Sequence, residues 1–237
     1  MSNSVIGKVH SFQTLGTVDG PGVRFVVFLQ GCNLRCGCCH NPDTWEINGG
    51  NEYSSDDVFK RLLRYRDYFS EDGGITISGG EPLLQSKFVT AIFEKCREVG
   101  INTCLDTSGS LMSSDIERML DFTDRVLLDI KYTVDDLYLK YVGCSLEKPL
   151  AFLKLLQSKG IKSTLRYVVI PTLNDNKESI LRLKSIANEF DCVDKIELLP
   201  FKKICQVKYD DMSIPFRFAP IPEPKREDMD YLNSLLK

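Results

Sequence analysis

The stretch Gly74–Gly109, GITISGGEPLLQSKFVTAIFEKCREVGINTCLDTSG, decides the fold. It opens on a short β-branched run, Gly74–Ser78, and turns at Gly79-Gly80. Within Lys87–Val99, residues Phe88, Ile92, Cys96 and Val99 recur at the three- and four-residue spacing of one helix face, and Gly100 supplies the stop. Ile101–Leu105 is again rich in strand formers and runs into Asp106-Thr107-Ser108-Gly109. A strand, a helix and a second strand make a crossover unit, and such a connection joins parallel strands.

The same alternation extends both ways along the chain. Arg24–Gln30 (RFVVFLQ) reads as a strand, and Asp56–Phe69, with Val58, Leu62, Tyr65 and Phe69 apolar, as a helix. Ser113–Phe122 reads as a short helix, Arg125–Ile130 as a strand, and Val134–Tyr141 and Pro149–Lys159 as helices. Ile161–Ile170 is a strand, Lys177–Phe190 a helix and Lys195–Leu199 the last strand. The segment Phe201–Pro224 is Pro-rich and reads as irregular, and Lys225–Leu236 as a final helix. The fold class is therefore α/β, with six parallel strands and helical crossovers. Six units are too few to close an eight-stranded barrel, so the expected architecture is a partial (β/α)6 barrel that stays laterally open. One domain over 1–237 is expected, with an N-terminal extension over about 1–20 and the irregular segment and helix over about 201–237.

Composition narrows the class. A hydrophobic share of 43% supports a sizeable core, and a net charge of −3, from 30 basic and 33 acidic residues, argues against nucleic acid or an anionic membrane as a partner. No apolar run reaches the ~18 residues that span a bilayer. Met1–Val5 has neither the basic region nor the apolar core of a secretory signal, so a cytoplasmic location is expected. Nine cysteines are an odd number, and four of them crowd into Cys32–Cys39. Reduced thiols with one metal site account for this better than a disulfide scaffold. Cys96 and Cys104 read as small core residues.

The unusual residues fall at strand ends, where parallel α/β folds build their sites. The cysteine loop follows the first strand, Ser78-Gly79-Gly80-Glu81-Pro82 the second and Asp106-Thr107-Ser108-Gly109 the third. Asp129-Ile130-Lys131 ends the fourth, Arg166 lies in the fifth and Leu199-Pro200 closes the sixth. Cys32, Cys36 and Cys39 form a C-x3-C-x2-C run, suited to three corners of an iron–sulfur cube with the fourth iron open. Structural zinc, with Cys38 or His40 as fourth ligand, is the competing reading, although zinc sites more often pair two short hairpins far apart in sequence. The Gly79-Gly80 pair is either a plain tight turn or a place where backbone amides approach a ligand. Asp106 is a helix cap or a site residue, with Ser113 better placed for the cap. Asp129 and Lys131 share one strand face, and Arg166 is a lone charge in an apolar strand; both suggest a binding site, with a structural ion pair as the alternative.

Together these motifs resemble the radical S-adenosylmethionine (SAM) superfamily, which C-x3-C-x2-C after the first strand and GGE after the second define. Gly16–Phe25 (GTVDGPGVRF), Cys39-His40-Asn41, Asp43-Thr44-Trp45, Leu128–Lys131 (LDIK), Leu165–Pro171 (LRYVVIP) and Glu197–Phe201 (ELLPF) resemble its branch of pyruvate formate-lyase activating enzymes. The resemblance implies a [4Fe-4S] cluster on Cys32, Cys36 and Cys39 and a pocket for SAM lined by Cys38, His40, Gly79, Gly80, Glu81, Asp106, Thr107, Asp129, Lys131, Arg166 and Lys202. Lys131 would also serve catalysis, and a monovalent cation would sit by Asp106, Thr107 and Asp129. The implied reaction is reductive cleavage of SAM and abstraction of hydrogen from a glycine of a glycyl radical enzyme, pyruvate formate-lyase first among them. Another glycyl radical enzyme, or a small molecule such as a 7-deazapurine precursor, is the alternative substrate. Flavodoxin or ferredoxin would be the electron donor and the protein a monomer. Two positions depart from the family: Cys38 replaces an aromatic residue and Lys202 a histidine. No cysteine lies between Cys39 and Gly79, so one cluster is expected.

Overall fold

The computed structural model describes residues 4–237; Met1–Asn3, which open the segment read as no secretory signal, lie outside the described residues. Among the described residues, eight strands form one sheet: β1 (Ile6–Gly16), β2 (Arg24–Leu29), β3 (Asn51–Ser54), β4 (Gly74–Gly79), β5 (Asn102–Thr107), β6 (Arg125–Asp129), β7 (Lys162–Val169) and β8 (Val193–Pro200). Their order is β3-β1-β2-β4-β5-β6-β7-β8. The six strands read from sequence, β2 and β4 to β8, are all parallel. The sheet is open, as expected, with β3 and β8 at its two edges.

Two strands lay outside the sequence reading. β1 pairs antiparallel with β2, and β3 antiparallel with β1, so most of the expected N-terminal extension is part of the sheet. The helices α1 (Ser55–Leu63), α2 (Ser86–Glu98), α3 (Ser114–Leu120), α4 (Asp135–Tyr141), α5 (Glu147–Lys159), α6 (Lys177–Asn188), α7 (Gln206–Asp211) and α8 (Arg226–Ser234) cover the sheet and its rim. α1 stops earlier than its pattern suggested: the chain tightens into a 3-10 turn over Arg66–Tyr68, and Tyr65 stacks on Phe25 at 5.5 Å. The stretch read as irregular contains α7, so that expectation is corrected as well.

Side chains of β2, β4, β5, β6 and β7 pack with α1, α2, α3, α5 and α6 in one large apolar core. A second apolar cluster sits at the rim and joins Leu34 and Cys38 to Tyr132, Tyr138, Phe201, Tyr209, Phe216 and Phe218. The opposite end of the strands is closed by Arg24, which is fully buried. Its guanidinium donates to Thr76 Oγ1 at 3.0 Å, Asn102 Oδ1 and the Asp72 carbonyl at 2.8 Å, and the Ile75 carbonyl at 2.5 Å. These acceptors offset the cost of burying the cation and tie β2, β4 and β5 together. Among the described residues no helix is long and apolar enough to cross a membrane.

Candidate functional site

The rim of parallel strand ends encloses a cavity of about 290 Å3. Cys32, Cys36, Cys38, Cys39, His40, Gly79, Gly80, Glu81, Asp106, Thr107, Asp129, Lys131 and Arg166 all line it. The six rim motifs thus converge, as parallel register demands: Leu29 lies opposite Gly79, Thr107 opposite Leu128, and Asp129 opposite Arg166.

The cysteine loop leaves β2 at Gly31, whose φ of +95° suits glycine. Its base is clamped where Gly31 N donates to Thr44 O at 2.8 Å and Cys32 N to Trp45 O at 3.3 Å. Its outer part is held by α4, with Gly37 N on Tyr141 O at 2.8 Å and Arg35 N on Val142 O at 3.3 Å. The tail holds it from the other side: Tyr209 OH donates to Cys39 O at 3.2 Å, and Lys208 Nζ reaches Asn41 Oδ1 at 2.9 Å. A methyl group at Gly37 would lie 2.5 Å from the Phe218 ring. The loop is therefore seated flat on an aromatic bed.

The thiols suit a cluster. Leu34 N donates to Cys32 Sγ and Asn41 N to Cys39 Sγ, each at 3.4 Å, so two sulfurs already receive the hydrogen bonds that cluster thiolates take. Burial pushes the Cys32 thiol up to about 12 and raises Cys36 and Cys39, so iron would have to displace their protons. Among the described residues, no three His, Cys, Asp or Glu side chains converge on a point that would hold a single ion.

Gly79 and Gly80 are required by the chain itself. A Cβ at Gly79 would lie 2.3 Å from Leu29 N, and one at Gly80 2.1 Å from Gly31 O. Gly80 N donates to Leu29 O at 2.9 Å and Glu81 N to Gly31 O at 2.8 Å. The amides of Gly80 and Glu81 thus tie this turn to the neighbouring strand end. The buried Glu81 carboxylate bridges to the β5 loop: Oε1 accepts from Thr107 Oγ1 at 2.5 Å and Leu83 N at 3.1 Å, and Oε2 from Ser108 N at 3.0 Å and from Ser108 Oγ. Burial raises its pKa against the pull of those donors.

The charges form a chain across the inner face. Asp129 accepts from Lys131 Nζ, and Arg166 spans Asp106 and Glu197 at 3.4 Å each. Burial alone would lower the Lys131 ammonium, but the Asp129 carboxylate holds it above its ordinary value. Burial lifts the Asp106 carboxyl to about 6 even though Arg166 pulls it down. Asp106 does not cap a helix; it accepts from Ser78 Oγ at 2.8 Å, and Ser113 caps α3 by accepting from Ile116 N.

Lys202 is not brought into the cavity. Its ammonium pairs with Glu223 Oε2 at 2.8 Å, and only its carbonyl turns towards the site, accepting from His40 Nε2 at 3.1 Å. Asp19 and Trp45 line the cavity and were not singled out from sequence as site residues. Their signal lay in the GTVDGPG and DTW stretches, the first of which folds back with Gly20 at φ +127° so that Asp19 O accepts from Thr76 Oγ1 at 2.6 Å. A second cavity of about 580 Å3 shares Arg166 and Leu199 with the first and is walled by Thr17, Val18, Gly20 and Pro21 on one side and Arg125, Thr164, Asp194 and Lys195 on the other.

Comparison with known proteins agrees with this geometry. The family model described as the Radical SAM superfamily matches residues 26–183. The pyruvate formate-lyase 1-activating enzyme of Escherichia coli (strain K12) is 41% identical over 237 residues, covering 99% of this chain and 96% of that protein. The pyruvate formate-lyase-activating enzyme of Clostridium pasteurianum is 42% identical over 234 residues, covering 98% of each. Among solved structures, Streptococcus suis SuiB bound to S-adenosylmethionine aligns with a TM-score of 0.67 at 19% identity, over 86% of this chain and 44% of that one.

Proposed function

The chain belongs to the radical SAM superfamily, and from that membership we propose that it is an activating enzyme that installs the glycyl radical of pyruvate formate-lyase. The observation that carries this reading is one cavity into which the three spaced thiols and the paired charges open, in a chain similar to activating enzymes over nearly its whole length. Bound there, a [4Fe-4S] cluster and SAM would supply one-electron cleavage of the sulfonium and, through it, the power to remove a hydrogen atom from a glycine Cα.

The protein's own part is holding, orienting and excluding water. Cys32, Cys36 and Cys39 would hold three irons and leave the fourth for the amino and carboxylate groups of SAM. Lys131 and Arg166 would face that carboxylate, and a monovalent cation beside Asp106, Thr107 and Asp129 would offset the acidic rim. Gly79, Gly80 and Glu81 would shape the wall by the methionyl part, with the Glu81 bridge keeping the two strand-end loops in register. Cys38 and His40 would lie by the adenine. The lateral cavity would admit the partner's glycine segment. Flavodoxin or ferredoxin as donor, a monomeric state and a cytoplasmic location complete the proposal.

The test is anaerobic electron paramagnetic resonance after reconstitution with iron and sulfide. With reductant, SAM and pyruvate formate-lyase all present, a glycyl radical signal is expected, and omitting any one component should remove it. Deoxyadenosine formed without a glycyl signal would transfer the activity to another glycyl radical enzyme or to a small molecule such as a 7-deazapurine precursor. Failure to take up iron and sulfide would end the radical SAM reading.

A further inference from the structure

Lys208 lies on α7, in the tail, yet its ammonium reaches the cysteine loop. It donates to Asn41 Oδ1 at 2.9 Å and to both carboxylate oxygens of Asp43, Oδ1 at 3.0 Å and Oδ2 at 2.9 Å. His10 Nε2, from β1, meets the same Asp43 Oδ2 at 3.1 Å. Three distant segments thus close on one point just past Cys39. An ion pair this open adds little to stability, since the Lys208 side chain is 37% exposed and that of Asp43 28%. Its effect lies in what it holds.

Lys208 holds Asn41, whose amide donates to Cys39 Sγ at 3.4 Å. Among the described residues, Lys208 is the hydrogen-bond partner of the Asn41 side chain. The Asn41 carbonyl is held separately, accepting from Thr44 N at 3.0 Å and Thr44 Oγ1 at 2.7 Å. The carbonyl contacts alone leave rotation about the bond from Cα to the carbonyl carbon, and the amide belongs to the preceding peptide plane. Tying the side chain as well removes that rotation and sets the direction of the bond to the amide nitrogen. The next residue of α7 steadies the other end of the turn, with Tyr209 OH donating to Cys39 O at 3.2 Å.

We propose that Lys208 is a positioning residue for the cluster: through Asn41 it keeps an amide aimed at the Cys39 thiolate. This rests on the radical SAM reading. An amide donated to a ligating sulfur withdraws charge from it and favours the reduced cluster. Lys208 would thereby ease the one-electron step that starts turnover, although it does not itself line the cavity.

A bare positive charge near the cluster would also favour reduction, so the test is a double-mutant cycle read at the cluster. At a solution potential fixed at the parent's midpoint, the ratio of reduced to oxidised cluster should fall about tenfold in Lys208→Met, equivalent to about 59 mV for one electron. Asn41→Ala leaves the ammonium in place on Asp43 and should give the same fall, and the double variant should fall no further than either. The cluster-free variants should melt close to the cluster-free parent, as the loss of a half-exposed contact allows. A parent-like ratio in either single variant, or falls that add in the double one, would overturn the proposal, the second by showing that Lys208 acts as a charge alone. A melting point well below the parent's would make the role structural and overturn it too. If Lys208→Met assembles no cluster, Asn41→Ala decides by the same criteria. A parent protein that assembles no iron and sulfide would instead overturn the radical SAM reading, and this proposal with it.

Discussion

A Cys36→Ala chain is expected to emerge without a cluster and without any cleavage of SAM. Cys32, Cys36 and Cys39 are the cavity-lining thiols at the 3-then-2 spacing, and each would satisfy a separate iron. Two thiolates would leave two irons open to solvent and to loss. Cys38 also lines the cavity and packs in the rim cluster, but it falls outside the 3-then-2 spacing and is not expected to substitute. Cys38→Ala therefore serves as the control: it should keep iron, sulfide and deoxyadenosine formation, with only the small cost of removing a buried sulfur, about 1 kcal/mol. Iron and sulfide per chain and deoxyadenosine per turnover are the measurements. A cluster that survives Cys39→Ala but not Cys38→Ala would reassign the ligands.

Gly37→Ala is expected to cost the cluster as well, although it leaves every cysteine in place. The added methyl would lie 2.5 to 2.9 Å from three atoms of the Phe218 ring. The ring cannot retreat freely, since Tyr141 packs against it at 5.4 Å and Phe201 at 6.2 Å. Overpacking of this kind costs about 1–3 kcal/mol. Here the compliant part is the loop, held to α4 by Gly37 N on Tyr141 O, so the strain is expected to lift Cys36 out of line with its two partners. Adding Phe218→Leu to Gly37→Ala should restore cluster content, which a general folding defect would not allow. Full iron in the Gly37→Ala chain would show that the aromatic bed does not set the loop.

β2, β4, β5, β6 and β7 were legible because most of their residues are buried and are rich in strand formers, whereas β8, at the edge, buries only Leu198 and showed only the short run Lys195–Leu199. β1 and β3 were not, for the opposite reason. IGKVHSFQTLG mixes Lys8, His10, Ser11, Gln13 and Thr14 among its apolar residues, and NEYS is four residues with no apolar core side chain. β3 is an edge strand, and such strands are kept polar or short; β1 lies inside it, but its second half pairs with β2 alone and leaves Gln13 and Thr14 exposed, which erases the signal a reader would use. α7 was missed because, of its six residues, only Tyr209 is buried, too little to show a period.

The rim chemistry was visible for a related reason: charged and thiol residues stand out against apolar strands, and strand ends point to one place. Contacts between distant segments were not visible. Nothing in the sequence around Gly37 announces Phe218, and nothing in LDIKY says that Tyr132 leans on Tyr141. Glu81 shows the limit from the other side, since the motif marked it as a pocket residue but gave no sign that its carboxylate would be used up by Thr107 and Ser108. Lys202 was read by its place in a motif, whereas its ammonium is captured by Glu223, 21 residues further on.

The tail's contacts with the cysteine loop bear on biosynthesis. Phe201, Tyr209, Phe216 and Phe218 are all translated after the last strand of the sheet, which ends at Pro200. A nascent chain paused there would carry all eight strands and all three cysteines, yet half of the surface that seats the loop would still be inside or ahead of the ribosome. Cluster delivery would then have to follow translation past Phe218, and a chain stopped at Pro200 should recruit no iron from a scaffold that readily charges the longer one.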